Sequence, residues 1–353
     1  MKYPEILSFE DALLQLDSFD AIIDARSPSE YALDHLPGAI NAPVLDDAQR
    51  ITVGTMYKQV NSFEAKKVGA VLVAKNIASH IEALWLDKPR EWRPLVYCWR
   101  GGNRSGSMAH ILAKIGWPVA QLDGGYKAFR AHVAAALEQA PPLRFQVMCG
   151  TTGSGKSRLL EVLHAQGAQV LDLEKLAAHR GSVLGNLPSQ PQPSQKAFET
   201  RIWDTLRRFD PARPVFVESE SKKVGNLRVP AALMEAMRAS ECISLTLSRA
   251  NRVRLLMEDY AHFTASPGSL NEQLEFLAAL HGREKIKHWQ AMASGGAMAQ
   301  LVEELLIHHY DPAYVRSIDR NFVKFGQARL LELDHIGEQA FLDAARSLIA
   351  STA

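Results

Sequence analysis

The stretch FQVMCGTTGSGKS, residues 145–157, decides the fold of the second half of the chain. An apolar run meets a loop, GTTGSGKS, that fits G-x-x-x-x-G-K-[ST] in full, and an amphipathic run follows it. In this motif the N–H groups at a helix N-terminus converge on an anion, and glycines let the backbone approach it closely. The sequence predicts a phosphate or diphosphate site built from Gly150, Thr151, Thr152, Gly153, Ser154, Gly155, Lys156 and Ser157. Lys156 supplies a charge there, and Ser157 can ligate Mg²⁺.

Three more short apolar runs follow this loop, as expected of buried parallel strands: QVLDLE (169–174), PVFVESE (214–220) and ECISLTLS (241–248). The candidate carboxylates are Asp172, in the first of these runs, and Glu218 or Glu220, in the second. Each carboxylate can hold Mg²⁺ or act as a base, but it can equally cap a loop, and the sequence leaves both readings open. The helix that follows Arg249 carries Val253, Leu256, Met257 and Tyr260 on one face.

The first half of the chain predicts a second parallel α/β unit, with strands in AIIDAR (21–26), PLVYC (94–98) and WPVAQLD (117–123). Between the last two, Met108, Ile111, Leu112 and Ile115 fall at helical spacing, and Gly116 ends the helix. The segment 46–87 is predicted to be a largely helical insertion. Pro141–Pro142 marks the boundary, which places one domain at 1–140 and the P-loop domain, with a helical C-terminal part, at 143–353.

Composition limits the functional classes. The 353 residues carry a formal net charge of +1, so any nucleic-acid binding must come from a local patch. No apolar run reaches the roughly 20 residues needed to span a bilayer. Because the N-terminus does not resemble a signal peptide, we expect a cytoplasmic protein with no membrane partner. Three widely spaced cysteines without CxxC argue against disulfides and a structural metal.

Cys98 is the candidate nucleophile. It ends an apolar strand and precedes WRGGNRSGS and a helix, so loop N–H groups and the helix dipole should lower its pKa. The candidate anion-binding residues of the loop are Arg100, Gly101, Gly102, Arg104 and Ser105. Cys149 and Cys242 lie within apolar strands, where cysteine is usually a small buried hydrophobe.

These motifs carry a family resemblance. ARSPSEYALDHLPGAIN (25–41), the Cys98 loop and LDGGYKAF (122–129) resemble the three signatures of a rhodanese domain, although the spacing from Cys98 to Arg104 is C-x5-R. That is one residue longer than typical rhodanese loops and similar to rhodanese-fold phosphatases, so it suits a phosphate-sized donor. With GTTGSGKS about 50 residues later, the chain resembles the bacterial tRNA 2-selenouridine synthase family.

The resemblance implies a transferase that replaces sulfur by selenium in 2-thiouridine at the tRNA wobble position. It implies geranylation of that sulfur from geranyl diphosphate, with diphosphate binding at the P-loop, followed by selenation from selenophosphate through Cys98. The expected partners are tRNA anticodon loops and a supply of selenophosphate, without DNA, and no prosthetic group is expected. Whether Mg²⁺ binds at the P-loop is left open by the sequence.

Two other functions compete with this one. One is a C-x5-R phosphatase or sulfurtransferase with a regulatory P-loop domain, and the other is an NTP-binding sensor whose first domain only docks a partner. Both leave the same phosphate-binding and thiol loops in place.

RNA contacts are predicted from cations and one aromatic residue near the motifs. Trp99 can stack on a splayed base or on the geranyl group. The candidate tRNA or phosphate contacts are Trp99, Lys222, Lys223, Arg249, Arg252, Arg316 and Arg320. Surface charges of this kind are often merely solvated, so the alternative for each is an exposed side chain without a ligand.

Overall fold

The computed structural model describes residues 3–182, 185–186, 190–261, 263 and 267–352. The chain divides into two compact units. The first comprises Met1–Ala136 with Glu199–Arg201, and the second comprises Leu137–Phe198 with Ile202–Ala353. Each unit holds one five-stranded sheet, so two parallel α/β units are present, as predicted.

The first sheet is entirely parallel, in the order β1-β5-β4-β2-β3. Its strands are β1 (Glu5–Leu7), β2 (Ala21–Asp24), β3 (Ala39–Asn41), β4 (Pro94–Tyr97) and β5 (Ala120–Leu122). The helices of this unit are Phe9–Leu14, Pro28–Leu33, Asp47–Gln59, Ser62–His80, Asn103–Ile115 and Gly125–Leu137, with a π-helical turn at Ile81–Trp85. The helices Asp47–Gln59 and Ser62–His80 lie between β3 and β4 and correspond to the predicted insertion.

The second sheet is also parallel, in the order β12-β11-β6-β8-β7. Its strands are β6 (Phe145–Cys149), β7 (Gln169–Leu171), β8 (Val215–Glu218), β11 (Glu241–Leu247) and β12 (Arg329–Leu333), and a hairpin joins β9 (Lys223–Val224) to β10 (Leu227–Arg228). Its helices are Lys156–Ala165, Leu173–Ala177, Gln195–Leu206, Ala231–Arg238, Arg249–Asp259, Pro267–Glu275, Ala278–His281, Arg283–Ser294, Met298–Leu305, Asp311–Asn321 and Glu338–Thr352, with a π-helical turn at Leu306–Tyr310.

The sequence pattern locates the central strands and the edge strand β7, but it misses the three other edge strands. β1, β3 and β12 lie at sheet edges, and each presents an exposed or half-buried face that weakens the apolar pattern. The run AIIDAR stops being a strand at Asp24, since its carboxylate accepts a hydrogen bond from the Arg26 backbone N–H at 2.9 Å.

The helix Asn103–Ile115 ends at Gly116, as predicted, but its buried face is rotated from the expected one. Met108 and Leu112 are buried together with Ala109 and Ala113, whereas Ile115 is 52% exposed. Ile115, the last residue of the apolar spacing, therefore faces solvent, and Ala109 and Ala113 complete the buried face. Within the described residues, no helix is long and apolar enough to cross a membrane.

The stretch 185–195 is rich in Pro, Gln and Ser, a composition typical of a loop. Its residues 187–189 lie outside the described residues. In its described part the Gln192 side chain donates to the backbone oxygens of Ala177 and Val224, at 3.2 and 3.0 Å. Ser194 then caps the helix Gln195–Leu206 by accepting from the Ala197 N–H. Side-chain bonds therefore anchor both of these positions.

A buried charge network ties the end of β2 to its neighbours in the first unit. Arg26 is 1% exposed, and its guanidinium binds Asp24 at 2.6 Å and the Asp34 carbonyl at 2.7 Å. The guanidinium also lies over the Tyr126 ring, 4.0 Å from its centroid. The Tyr97 hydroxyl donates to Asp24 at 2.7 Å. Each buried charge is therefore paired, which burial requires.

Replacing Arg26 by alanine should strongly destabilise the first unit. The change leaves Asp24 buried without its cation, which costs about 3–5 kcal/mol. Lys67→Ala is the control, since it breaks an exposed pair with Glu64 and should cost less than about 1 kcal/mol. Urea unfolding measures both changes, and equal effects would contradict the role given to Arg26.

Candidate active sites

Cys98 lies at the carboxyl end of β4, directly before the loop that leads into the helix Asn103–Ile115. Two backbone hydrogen bonds from the motif LDGGYKAF (122–129) support this loop. Tyr126 N–H donates to the Cys98 carbonyl at 2.8 Å, and Lys127 N–H donates to the Trp99 carbonyl at 3.0 Å. Gly125 has φ of +54°, and a Cβ there would clash with the Cys98 carbonyl oxygen. Glycine at position 125 is therefore required for LDGGYKAF to pack this closely against the cysteine loop.

The surroundings of Cys98 favour its thiolate. The side chain is buried, and burial alone would raise the pKa of the thiol. Ser105 opposes this effect, because its hydroxyl donates to the sulfur at 3.2 Å. Together with the backbone N–H groups of Ser105 and Arg100 and the charge of Arg104 it outweighs burial, so the pKa is lowered overall. The loop thus favours the thiolate, in the direction that the sequence predicted.

The Arg104 side chain forms an ion pair within the site. Its guanidinium binds both carboxylate oxygens of Glu30, at 2.6 and 3.3 Å. Burial raises the pKa of Glu30, but Arg104, the Ser27 N–H and Arg50 together outweigh burial, so the pKa is lowered overall. Gln121 completes the support by donating to the Gly101 carbonyl at 2.6 Å. Sequence reasoning missed Glu30 and Gln121 as site residues, although both lie within quoted motifs.

Trp99, Arg100 and Gly102 occupy the exposed side of the same loop. Trp99 is 36% exposed, and its ring lies 5.3 Å from that of Tyr126. The Arg100 side chain is open to solvent. These groups are therefore the ones that a ligand approaching Cys98 would meet first.

The P-loop adopts the strand–loop–helix geometry that its motif predicts, between β6 and the helix Lys156–Ala165. Lys156 Nζ folds back onto the loop and donates to the carbonyls of Gly150 and Thr151 at 2.6 and 3.3 Å. The Gly150 N–H donates to the Tyr314 hydroxyl. Gly155 has φ of +92° and packs against Phe341, which leaves no space for a side chain. Burial lowers the pKa of Lys156, and Glu174 and Glu220 oppose that effect.

The two predicted arginines of the helix Arg249–Asp259 have different environments. Arg249 is exposed. Arg252 is 6% exposed, and its guanidinium donates to the Thr152 carbonyl at 2.9 Å and to both oxygens of Asp311. Arg252 therefore holds the backbone of the P-loop in place, and this buried position does not suit contact with tRNA.

The carboxylates near the P-loop have different hydrogen-bond partners. Asp172 caps the helix Leu173–Ala177 by accepting from the Lys175 N–H at 2.8 Å, which is the structural reading of this residue. Glu218 is 3% exposed and accepts from the Glu174 N–H at 2.8 Å. Glu174, in contrast, contacts the P-loop, because the Ser157 hydroxyl donates to its carboxylate at 3.2 Å. Glu174 was quoted in QVLDLE but not singled out.

These acids repel one another. Burial, followed by the neighbouring Glu220, raises the pKa of Glu174 to about 8. Burial also raises the pKa of Glu218, and one of its oxygens has no hydrogen-bond partner. A cation would relieve this repulsion.

Within the described part of the chain, no group of three or more His, Cys, Asp or Glu side chains could hold a metal ion. Mg²⁺, however, commonly uses one or two protein ligands together with water and substrate phosphates. Ser157 and Glu174 fit that requirement and would hold the ion. When bound, the ion would neutralise charge on a phosphate ligand.

The remaining predicted RNA contacts are all exposed in the structure: Lys222, Lys223, Arg316 and Arg320. The two lysines precede and begin the β9–β10 hairpin, which directly follows β8 and Glu220. They belong to the same unit as the P-loop.

Two family models match the two halves of the chain. A rhodanese-like domain matches residues 8–132, and the tRNA 2-selenouridine synthase AAA domain matches residues 143–281. A tRNA 2-selenouridine synthase from Nitrosomonas europaea is 36% identical over 265 residues, covering 74% of this chain and 68% of the relative. One from Shewanella denitrificans is 31% identical over 357 residues, covering 92% and 94%. The chain belongs to the tRNA 2-selenouridine synthase family.

A third member of this family, from Shewanella halifaxensis, is 30% identical over 329 residues and covers 85% of this chain and 89% of its own length. The similarity therefore extends over both units. This chain is a tRNA-modifying enzyme, and it has both the thiol loop and the P-loop described above.

Ser105→Ala should raise the pKa of Cys98. Removing a hydrogen bond to a charged group costs roughly 1.5–3 kcal/mol, and this loss falls on the thiolate form. The pH at which Cys98 becomes half-alkylated by iodoacetamide should therefore rise. Ser107→Ala is the control, since Ser107 bonds only the Asn103 carbonyl in the same helix. An unchanged alkylation profile for Ser105→Ala would show that Ser105 does not stabilise the thiolate.

Proposed function

We propose that this enzyme replaces sulfur by selenium in 2-thiouridine at the tRNA wobble position in two steps, geranylation and then selenation. The observation that carries this proposal is that one chain of this family combines a thiol whose pKa is lowered with an intact P-loop beside a cluster of carboxylates whose pKa is raised. The Cys98 loop suits nucleophilic attack by the Cys98 sulfur. The P-loop suits binding of a diphosphate that acts as leaving group.

The first step needs the P-loop. The thiouridine sulfur attacks C1 of geranyl diphosphate, the C–O bond breaks, and diphosphate departs with the electron pair. The base loses its N3 proton, so the product is a neutral S-geranyl thiouridine. The backbone N–H groups of the P-loop and Lys156 stabilise the charge that grows on the departing diphosphate. Alkylation converts a poor leaving group into one that can depart as a thiol.

The second step needs selenium and water. S-geranyl thiouridine, hydrogen selenophosphate and water give selenouridine, geranyl thiol and phosphate. The selenium must part from phosphorus as selenide, because an attack on selenium would leave phosphorus with an extra electron pair.

Cys98 fits this requirement as the nucleophile toward phosphorus. An S–P bond forms, the P–Se bond breaks, and hydroselenide attacks C2 of the base and expels geranyl thiol. Water then cleaves the S–P bond and releases phosphate. The C-x5-R loop is large enough to enclose a phosphoryl group, and Arg104, held by Glu30, neutralises it. Ser105, already bonded to the sulfur, stabilises the thiolate that leaves in the last step.

The same loop supports a second candidate, a phosphatase, since a C-x5-R loop with a thiolate can also attack a phosphate monoester. The two functions differ in what Cys98→Ser stops: selenium incorporation in the first case and only monoester hydrolysis in the second.

Cys98→Ser should stop selenium incorporation and leave geranylation within about twofold, because only the second step uses the thiolate. The measurement is the mass of a thiolated anticodon stem-loop after incubation with geranyl diphosphate, without and then with selenophosphate. Cys242→Ser, a buried cysteine outside the loop, is the control and should retain both activities. A folded Cys98→Ser enzyme that has lost both steps would refute this division of labour.

Lys156→Ala should slow geranylation at least about tenfold, since the departing diphosphate loses a cation in a partly dry site. Pre-geranylated RNA should restore selenation by this variant. Lys175→Ala, an exposed lysine nearby, is the control. Normal geranylation by Lys156→Ala would assign the P-loop to another ligand.

RNA binding should depend on exposed cations of the second unit. Because phosphate contacts release counterions, the slope of log affinity against log salt changes by about 0.7 per contact for single strands. Replacing Lys222 and Lys223 by alanine should flatten this slope by roughly one to two units, for thiolated and unthiolated stem-loops alike. Arg316→Ala/Arg320→Ala is the matched double variant, and a slope changed only there would move the docking face to that helix.

A further inference from the structure

An apolar cavity lies within the helical part of the second unit. Its volume is about 550 Å³, including the part open to solvent. Leu256 and Met257, from the helix Arg249–Asp259, line one side, and Leu301 and Val302 line another. The face of the Arg249–Asp259 helix that the sequence pattern marked as apolar is thus turned toward this cavity.

The cavity adjoins the phosphate-binding loop. Thr152 belongs to the P-loop and also lines the cavity. Leu256, another lining residue, packs so closely on Gly153 that a Cβ there would lie 2.9 Å from it. Arg252, one turn before Leu256, binds the Thr152 carbonyl. One helix therefore forms the cavity wall and anchors the P-loop backbone.

Among the described residues that line the cavity, none has a charged side chain. The polar groups are Thr152, Ser182 and two tyrosines, Tyr260 and Tyr310, and the other lining residues are aliphatic, methionine or phenylalanine. Burial raises the pKa of both tyrosines, so they stay neutral at ordinary pH. A nucleoside would bring several ring nitrogens and sugar hydroxyls that need partners. A hydrocarbon chain needs none.

We propose that this cavity binds the hydrocarbon chain of an isoprenyl diphosphate whose diphosphate lies in the P-loop. The inference rests on the proposed function and deepens its first step by assigning a chain-binding site. A carbon group occupies about the volume of one water in the liquid, roughly 30 Å³. Ten carbons need about 300 Å³, which is within this volume, whereas twenty need about 600 Å³, more than the volume even with its open part included.

The cavity therefore selects chain length as well as chemistry. Each methylene removed from water strengthens binding about fourfold. Geranyl diphosphate should bind at least thirtyfold more tightly than the five-carbon dimethylallyl diphosphate or inorganic diphosphate. The twenty-carbon geranylgeranyl diphosphate should gain nothing further over geranyl diphosphate.

The test is calorimetric binding of these four compounds to the full chain and its variants. Val302→Phe should reduce the advantage of geranyl diphosphate over inorganic diphosphate at least tenfold, because the added ring fills the cavity. The matched control is Val315→Phe, which places the same ring on a helical valine that is 54% exposed. Met257→Ala, which enlarges the cavity, should raise the affinity for geranylgeranyl diphosphate relative to geranyl diphosphate.

Unchanged binding of inorganic diphosphate shows that each variant is folded with its P-loop intact. Equal affinities of the wild type for inorganic and geranyl diphosphate, with geranyl transfer to RNA still observed, would overturn the cavity assignment and leave the proposed function standing. A chain-length preference that Val302→Phe abolishes, in an enzyme that transfers no geranyl group to RNA, would support the cavity and overturn the proposed first step. Loss of the preference in both Val302→Phe and Val315→Phe would also overturn the assignment.

Discussion

Both sites depend on one backbone constraint: a loop between a buried strand and a helix must turn its N–H groups inward, where an anion can meet them. This turn leaves no space for a Cβ at certain positions. Gly125 lies against the Cys98 carbonyl, and Gly155 lies against Phe341. Because these glycines lack a Cβ, neighbouring groups can pack directly against each loop. The parallel sheets place both loops at the carboxyl ends of strands, where ligands of α/β folds usually bind.

The two loops handle charge in opposite ways. The Cys98 loop is already arranged for an anion, since Ser105 and backbone N–H groups lower the pKa of the thiol without any ligand. The P-loop instead faces carboxylates, among them Glu174, whose pKa is raised to about 8. A diphosphate there needs a proton or a cation on that cluster. The surroundings of the thiol loop thus favour an anion, while those of the P-loop carry carboxylates whose charge opposes one.

Arg252 shows how a charged residue can serve a site without meeting its ligand. Its guanidinium is fully occupied by Asp311 and the Thr152 carbonyl, and it lies beneath the P-loop. The same helix then presents Leu256 and Met257 to the apolar cavity. One helix therefore positions the diphosphate loop and forms a wall of the proposed chain site, which links head-group and chain recognition physically.

The sequence by itself determined the two α/β units, the central strands, the P-loop and the reactive cysteine, because these depend on local patterns of apolar runs, glycines and one strand-to-helix turn. It also showed the apolar face of the helix after Arg249. Only the tertiary structure decided that Glu174, and not Asp172 or Glu218, contacts Ser157, that Glu30 holds Arg104, and that Arg252 is buried. These contacts join residues that are distant in the chain or compete for one loop. Their outcome depends on packing and burial, which the spacing of residue types does not record.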